Sequence, residues 1–122
     1  MTSVQTTWTP TQGDFDAFAR LSGDANPIHI DAAFAATTRF GRTVSHGMLI
    51  YARLSQLLAP VGPARTGTRR RQSTAALMFP NPAFAGDPLT LHATQTAPDR
   101  WTLTAARQSD GAVVALAEIV LT

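Results

Sequence analysis

One segment constrains the fold of this chain more than any other. Between His46 and Ala59 apolar side chains fall on almost every face of a helix, with Met48, Leu49, Ile50, Tyr51, Leu54, Leu57 and Leu58 interrupted only by Arg53, Ser55 and Gln56. A helix that is hydrophobic all round has to be wrapped by other structure. Pro60-Val61-Gly62-Pro63 terminates it, and further on the period of the apolar positions changes from 3.6 to 2. Leu89, Leu91, Ala93 and Gln95 alternate with Thr90, His92, Thr94 and Thr96, and Trp101, Leu103 and Ala105 alternate with Thr102 and Thr104. Both runs read as half-buried strands. Pro98-Asp99 and Ser109-Asp110-Gly111 mark hairpin turns. Ala112 to Leu121 is apolar on both faces except Glu118, as in a central strand, and Ser73 to Phe79 gives one more strand before Pro80-Asn81-Pro82. One buried helix followed by four strands predicts an α+β fold, an antiparallel β-sheet wrapped around a long central α-helix. Such a layer leaves a sheet edge and apolar surface exposed, which dimerisation would cover.

The N-terminal part has a different grammar. Thr11 is followed by Asp14 and then by Phe15, Phe18, Ala19 and Leu21, the spacing of a capped amphipathic helix that Gly23 ends. Proline at position 27 pushes Asn26 out of the helical region, so Asp24-Ala25-Asn26-Pro27 reads as an ordered turn. A short helix from Asp31 to Thr38 and a loop after Phe40-Gly41 follow.

At 122 residues, with 44% hydrophobic and 15% charged residues, residues 1–122 read as one packed domain rather than a disordered segment. All ten basic residues are arginines and the net charge is only +2, too small for a nucleic-acid coat. The cluster Arg69, Arg70 and Arg71 can still hold a phosphate, or be a solvated basic loop. The absence of cysteine excludes disulfides, thiolate metal sites and a cysteine nucleophile. Met1 to Trp8 is polar and threonine-rich, without the pattern of a secretory signal, and no apolar run is long enough to span a bilayer. The expectation is a soluble cytoplasmic protein with no membrane and no nucleic-acid partner.

Two constellations can carry chemistry. In Ser22-Gly23-Asp24-Ala25-Asn26-Pro27-Ile28-His29 a carboxylate and an imidazole lie five residues apart, a general acid/base pair if the turn brings them to one side. On a straight helix they would diverge by roughly 140°. The same residues also serve as turn formers, helix caps and a structural histidine. In Ser45-His46-Gly47-Met48 the first turn of the buried helix offers backbone N–H groups with no internal partner. Gly47, having no side chain, allows close approach of a ligand oxygen, an oxyanion hole in outline, although a loop glycine after an N-capping Ser45 is the plainer alternative. Ser55 lies seven residues beyond Met48 on nearly the same helical face. The three histidines are scattered along the sequence and form no convincing metal site.

The stretch from Phe18 to His29, with Ala35 six positions further on, resembles the (R)-specific enoyl-CoA hydratase signature of the MaoC-like dehydratases. Phe40 to Met48 resembles the segment leading into that family's central helix, and Phe84-Ala85-Gly86-Asp87 its later motif before a strand. The resemblance implies a hot-dog fold, usually dimeric, and reversible hydration of a trans-2-enoyl thioester to a (3R)-hydroxyacyl thioester. It places Asp24 and His29 as the catalytic pair and Gly47 as the oxyanion-hole donor. Asn26, Ser45, His46, Met48 and Ser55 become substrate-binding residues, with Arg69, Arg70 and Arg71 toward the phosphates of coenzyme A or of a carrier protein's phosphopantetheine. It implies no metal and no cofactor beyond the thioester carrier itself. A hot-dog thioesterase and one subunit of a heteromeric dehydratase are the alternatives. Tyr51 and Arg53 are bulkier or more polar than the resemblance leads one to expect in long-chain enzymes, which leaves acyl length open.

Overall fold

The computed structural model describes residues 2–61 and 71–122. Strand β1 (Ser3–Trp8) leads into α1 (Gln12–Ser22), two short helices, α2 (Pro27–Ile30) and α3 (Ala32–Ala36), and the central α4 (Gly47–Ser55), which a 3-10 turn (Gln56–Leu58) extends. Strands β2 (Gln72–Met78), β3 (Leu89–Ala97), β4 (Arg100–Arg107) and β5 (Val113–Leu121) follow. The five strands form one antiparallel sheet in the order β1-β3-β4-β5-β2. It curls around α4 in the hot-dog arrangement, and Ile50, Leu54, Leu57 and Leu58 pack into a core with Leu89, Leu91, Trp101, Leu103, Val114 and Ile119. Among the described residues no helix is long and apolar enough to cross a membrane.

The period-2 segments lie where their alternation puts them. Leu89, Leu91 and Ala93 of β3 and Trp101, Leu103 and Ala105 of β4 are buried against α4, while the threonines between them are only partly covered. Strand β5 lies between β4 and β2, and its one charged residue, Glu118, faces outward and accepts from Thr102 Oγ1 at 3.0 Å. Strand β1 is a fifth strand that the sequence pattern does not announce. It is an edge strand, exposed along most of its length, so no buried alternation marks it. The other edge, β2, is exposed at nearly every residue.

Helix α4 is less completely wrapped than its composition predicts. Its sheet-facing side is sealed, but Met48, Ala52 and Gln56, spaced four apart, form a stripe open to solvent. The expected caps do form around α1. Thr11 Oγ1 accepts from Asp14 N, Asp14 Oδ2 accepts from Thr11 N, and Gly23 closes the helix at φ 82°. At the β4–β5 turn the Arg107 guanidinium grips both oxygens of Asp110, at 3.0 and 2.8 Å, which holds the Asp110 carboxyl below its usual range. A third Arg107 nitrogen donates to the Pro82 carbonyl at 2.8 Å, anchoring the segment that follows β2 to the sheet.

Candidate active site

The turn after α1 is built by side chains bonding to nearby backbone. Asp24 N donates to Ser22 Oγ, Asn26 N to Asp24 Oδ1, and Ile28 N to Asn26 Oδ1, at 3.1–3.3 Å. Pro27, whose missing N–H is no loss at the start of a helix, then opens α2. This staircase folds the five-residue separation back on itself, so that Asp24 Oδ2 lies 3.7 Å from His29 Nε2. A water placed about 2.8 Å from each of these atoms would stand within hydrogen-bond reach of both.

His29 is oriented from behind. Its Nδ1 lies 2.8 Å from the Val44 carbonyl, which only accepts, so Nδ1 carries the proton and Nε2 presents a lone pair toward Asp24. Gln12 at the start of α1 completes the support. Its Nε2 donates to the His29 carbonyl at 2.8 Å while its Oε1 accepts from Thr43 Oγ1 at 2.6 Å. His46 is only 2% exposed, stacks on the His29 ring at a centroid distance of 3.9 Å, and donates from Nε2 to the Asp24 carbonyl at 2.9 Å. It therefore braces both members of the pair at once. Its Nδ1 is buried without a hydrogen-bond partner among the described residues.

Asp24, His29 and His46 line a cavity of about 290 Å³, together with Phe18, Ser22, Gly47, Met48 and Phe79. Gly47 opens α4, so its N–H has no partner inside the helix and lies at the positive end of the helix dipole. Asp24, His29, His46, Gly47 and Met48, all expected at the site, thus come together at one cavity, where His46 also braces the pair.

The other expected contacts do not line this cavity, although Ser45 lines an adjoining one that shares Gly47 and Phe79. Asn26 is exposed and its Oδ1 is committed to capping α2, which makes it a turn builder. Ser45 does not cap α4, because the N-cap position is His46; the Ser45 hydroxyl is buried and donates to the His46 carbonyl. Ser55 sits at the far end of α4 and accepts from Gln72 Nε2 at 3.3 Å, beside Tyr51, whose hydroxyl pairs with Thr74 Oγ1. Arg71 pairs through its backbone with Thr122 at the opposite end of β2 from Phe79, roughly 25 Å away along an extended strand. Arg69 and Arg70 lie outside the described residues. Gln12, Thr43, the Val44 carbonyl and Phe79 are contributors that residue type and spacing do not reveal.

The histidines are less scattered than the sequence suggests. Asp24, His29 and His46 bring three possible donor atoms within 4.8 Å of one another. Yet the two rings are stacked 3.9 Å apart at 24°, so their lone pairs lie in nearly parallel planes, whereas ligation requires them to converge on one ion at about 2.0–2.1 Å. The arrangement suits proton transfer better than coordination. The third histidine, His92, is on the sheet and bonded to Ser3 Oγ at 2.6 Å.

Residues 2–114 match the MaoC like domain. The chain belongs to the MaoC-like family. Over 81 residues this MaoC-like chain is 46% identical to the (R)-specific enoyl-CoA hydratase of Aeromonas caviae, covering 66% of this chain and 58% of the relative. It is 34% identical over 77 residues to the 3-hydroxybutyryl-CoA dehydratase of Methylorubrum extorquens, covering 63% of this chain and 47% of that one. The chain thus spans about half of the length of these curated relatives. Among solved structures, the (R)-hydratase of A. caviae involved in PHA biosynthesis superposes with a TM-score of 0.80 at 33% identity, over 99% of this chain and 93% of that one. The unliganded R-hydratase of Pseudomonas aeruginosa superposes with a TM-score of 0.78 at 31% identity, over 98% and 78%.

Proposed function

We propose that this MaoC-like domain is a hydro-lyase that reversibly adds water to a trans-2-enoyl thioester, giving the (3R)-3-hydroxyacyl thioester. The observation that carries the reading is the Asp24–His29 pair, 3.7 Å apart, at the wall of a cavity that also contains the open first turn of α4. The thioester carbonyl accepts a hydrogen bond from Gly47 N–H, which draws charge from the double bond and stabilises the enolate-like transition state. The water held by Asp24 and His29 attacks C3. His29 Nε2 takes its proton, and the coupled pair returns a proton to C2, so one water is added across the double bond and no group is left charged. The carrier, coenzyme A or a phosphopantetheine arm, is part of the substrate. The open Met48-Ala52-Gln56 stripe and the exposed β2 edge support a homodimer, in which a second copy covers both.

The test is the enoyl-thioester absorbance of crotonyl-CoA on adding purified protein, with chiral analysis of the product. Loss of absorbance with (3R)-3-hydroxybutyryl-CoA formed and no free thiol is expected. Release of thiol would replace this reading with a thioesterase, and turnover only after adding a homologous chain would make the protein one subunit of a heteromeric dehydratase.

His46 gives a second prediction. Removing the brace lets Asp24 and His29 shift against each other, so His46→Ala is expected to lower kcat by roughly 100-fold with a much smaller effect on KM. His46→Gln, which keeps a donor toward the Asp24 carbonyl, should restore part of the loss. Equal losses in both variants would show that the stacked ring, rather than the hydrogen bond, does the positioning.

A further inference from the structure

Gln12 and Thr43 stand outside the wall of the catalytic cavity, and they meet behind the histidine that lines it. Gln12 is the first residue of α1, at the end that the Thr11–Asp14 capping box pins. Its partners fix the orientation of its amide. The His29 carbonyl at 2.8 Å and Asp16 Oδ1 at 3.0 Å both accept, so they take the two hydrogens of Nε2 and leave Oε1 turned toward Thr43. Thr43, only 5% exposed, donates to that oxygen from Oγ1 at 2.6 Å. The amide therefore joins α2 to the segment that enters α4, beside the bond from His29 Nδ1 to the Val44 carbonyl. A backbone bond from Val44 N to the Ile28 carbonyl, 3.1 Å, ties the same two segments. Helix α2 needs such ties, because its four residues make a single turn with little stability of its own, and the carbonyl of His29 falls where no intrahelical donor follows.

We propose that Gln12, oriented by Thr43, is a positioning residue that keeps His29 in the tautomer the reaction uses; the inference rests on the enoyl-thioester reading above. Nε2 can take a proton from water only while it carries none, hence only while the ring proton stays on Nδ1 against the Val44 carbonyl. The position of that carbonyl relative to the ring is what the amide bridge holds. Without it the His29 carbonyl loses its donor and the buried Thr43 hydroxyl its acceptor, so both segments relax to find new partners. The ring then slips from Val44, and the form protonated at Nε2, which cannot act as the base, gains population. An amide suits the task because it offers a donor and an acceptor on one rigid plane. Substrate binding is spared, since neither Gln12 nor Thr43 reaches the cavity.

The experiment reads the His29 ring directly, by nitrogen NMR shifts of the free protein at a pH where the ring is neutral, with kcat and KM for crotonyl-CoA measured alongside. Gln12→Met keeps the length of the side chain and removes the amide; Thr43→Val keeps the shape and removes the hydroxyl. Wild-type protein is expected to show the Nδ1–H form. Both variants are expected to bring in the Nε2–H form and to lower kcat about tenfold, with KM within about twofold of wild type. Thr43→Ser, which keeps the hydroxyl, should recover most of what Thr43→Val loses. A ring that stays in the Nδ1–H form in both variants, whatever the fall in kcat or melting temperature, would make the bridge structural only and overturn the proposal. So would the Nε2–H form in the wild type, or an unchanged kcat beside a changed tautomer. The two Thr43 variants decide if Gln12→Met does not fold. Absence of hydration by the wild-type protein would reject the reaction, while the nitrogen shifts would still decide whether Gln12 and Thr43 hold the His29 tautomer.

Discussion

Asp24→Asn and His29→Ala are each expected to lower kcat for crotonyl-CoA by roughly 100- to 10,000-fold, the range that a positioned acid or base contributes. Asparagine keeps the shape of the carboxylate and an oxygen to accept from Asn26 N, so the turn survives while the proton-transfer capacity is lost. The side chain it replaces is 56% exposed, and the exchange should leave the melting temperature nearly unchanged. His29→Ala is less innocent. It strips the buried Val44 carbonyl of its donor and should cost about 1–3 kcal/mol of stability, measurable by urea unfolding but well short of loss of the fold. Because the two side chains handle the same water in the proposed reaction, the double variant should be little worse than the poorer single one. Near-normal kcat in both single variants, with native circular dichroism at the assay temperature, would reject the assigned pair.

The geometry of this pair was legible because it is local. Asp24 and His29 are joined by a proline turn whose every bond lies within a few residues, so residue type and spacing carry the geometry. What supports them is not local. Gln12 reaches His29 across 17 residues and Thr43 across 31, and the Val44 acceptor is a backbone carbonyl that any residue at that position would supply. His46, which the resemblance gives as a substrate contact, does line the cavity, but its stacking on His29 and its bond to the Asp24 carbonyl arise from packing across the fold that spacing does not reveal. The requirement for glycine at position 47 likewise has a second cause that sequence spacing hides, since Phe79 arrives there from the other side of the chain. In the fold the same division holds. Strands with one buried face declare themselves through alternation, whereas β1, a threonine-rich edge with little to bury, carries no such signal. Arg53, read as a polar interruption of the central helix, proves compatible with burial of its stem. Its guanidinium lies 5.2 Å from the Trp8 ring centre and donates to Gln56 Oε1 at 2.8 Å.

Leu54→Ala is expected to destabilise the protein by about 2–5 kcal/mol, the largest stability effect on the central helix. Leu54 is fully buried on the side of α4 that faces the sheet, within the core that Leu91, Trp101 and Leu103 also line. Those strand side chains are tied in register by paired neighbours on both sides, so the sheet cannot collapse inward to fill the space a leucine leaves. Gln56→Ala, two residues further on, removes a longer side chain from a stripe this chain leaves open and, at concentrations too low for the proposed homodimer, should change stability by no more than about 0.5 kcal/mol, through loss of its exposed bond with Arg53. The pair of variants measures how one-sided the wrapping of this helix is. Denaturant midpoints at constant slope, taken at several protein concentrations, give both values and separate folding from association. Equal costs at the two positions would mean that the Gln56 side of α4 is covered in solution as tightly as the Leu54 side, and that the apolar character of the helix is matched by a partner surface rather than by this chain's own sheet alone.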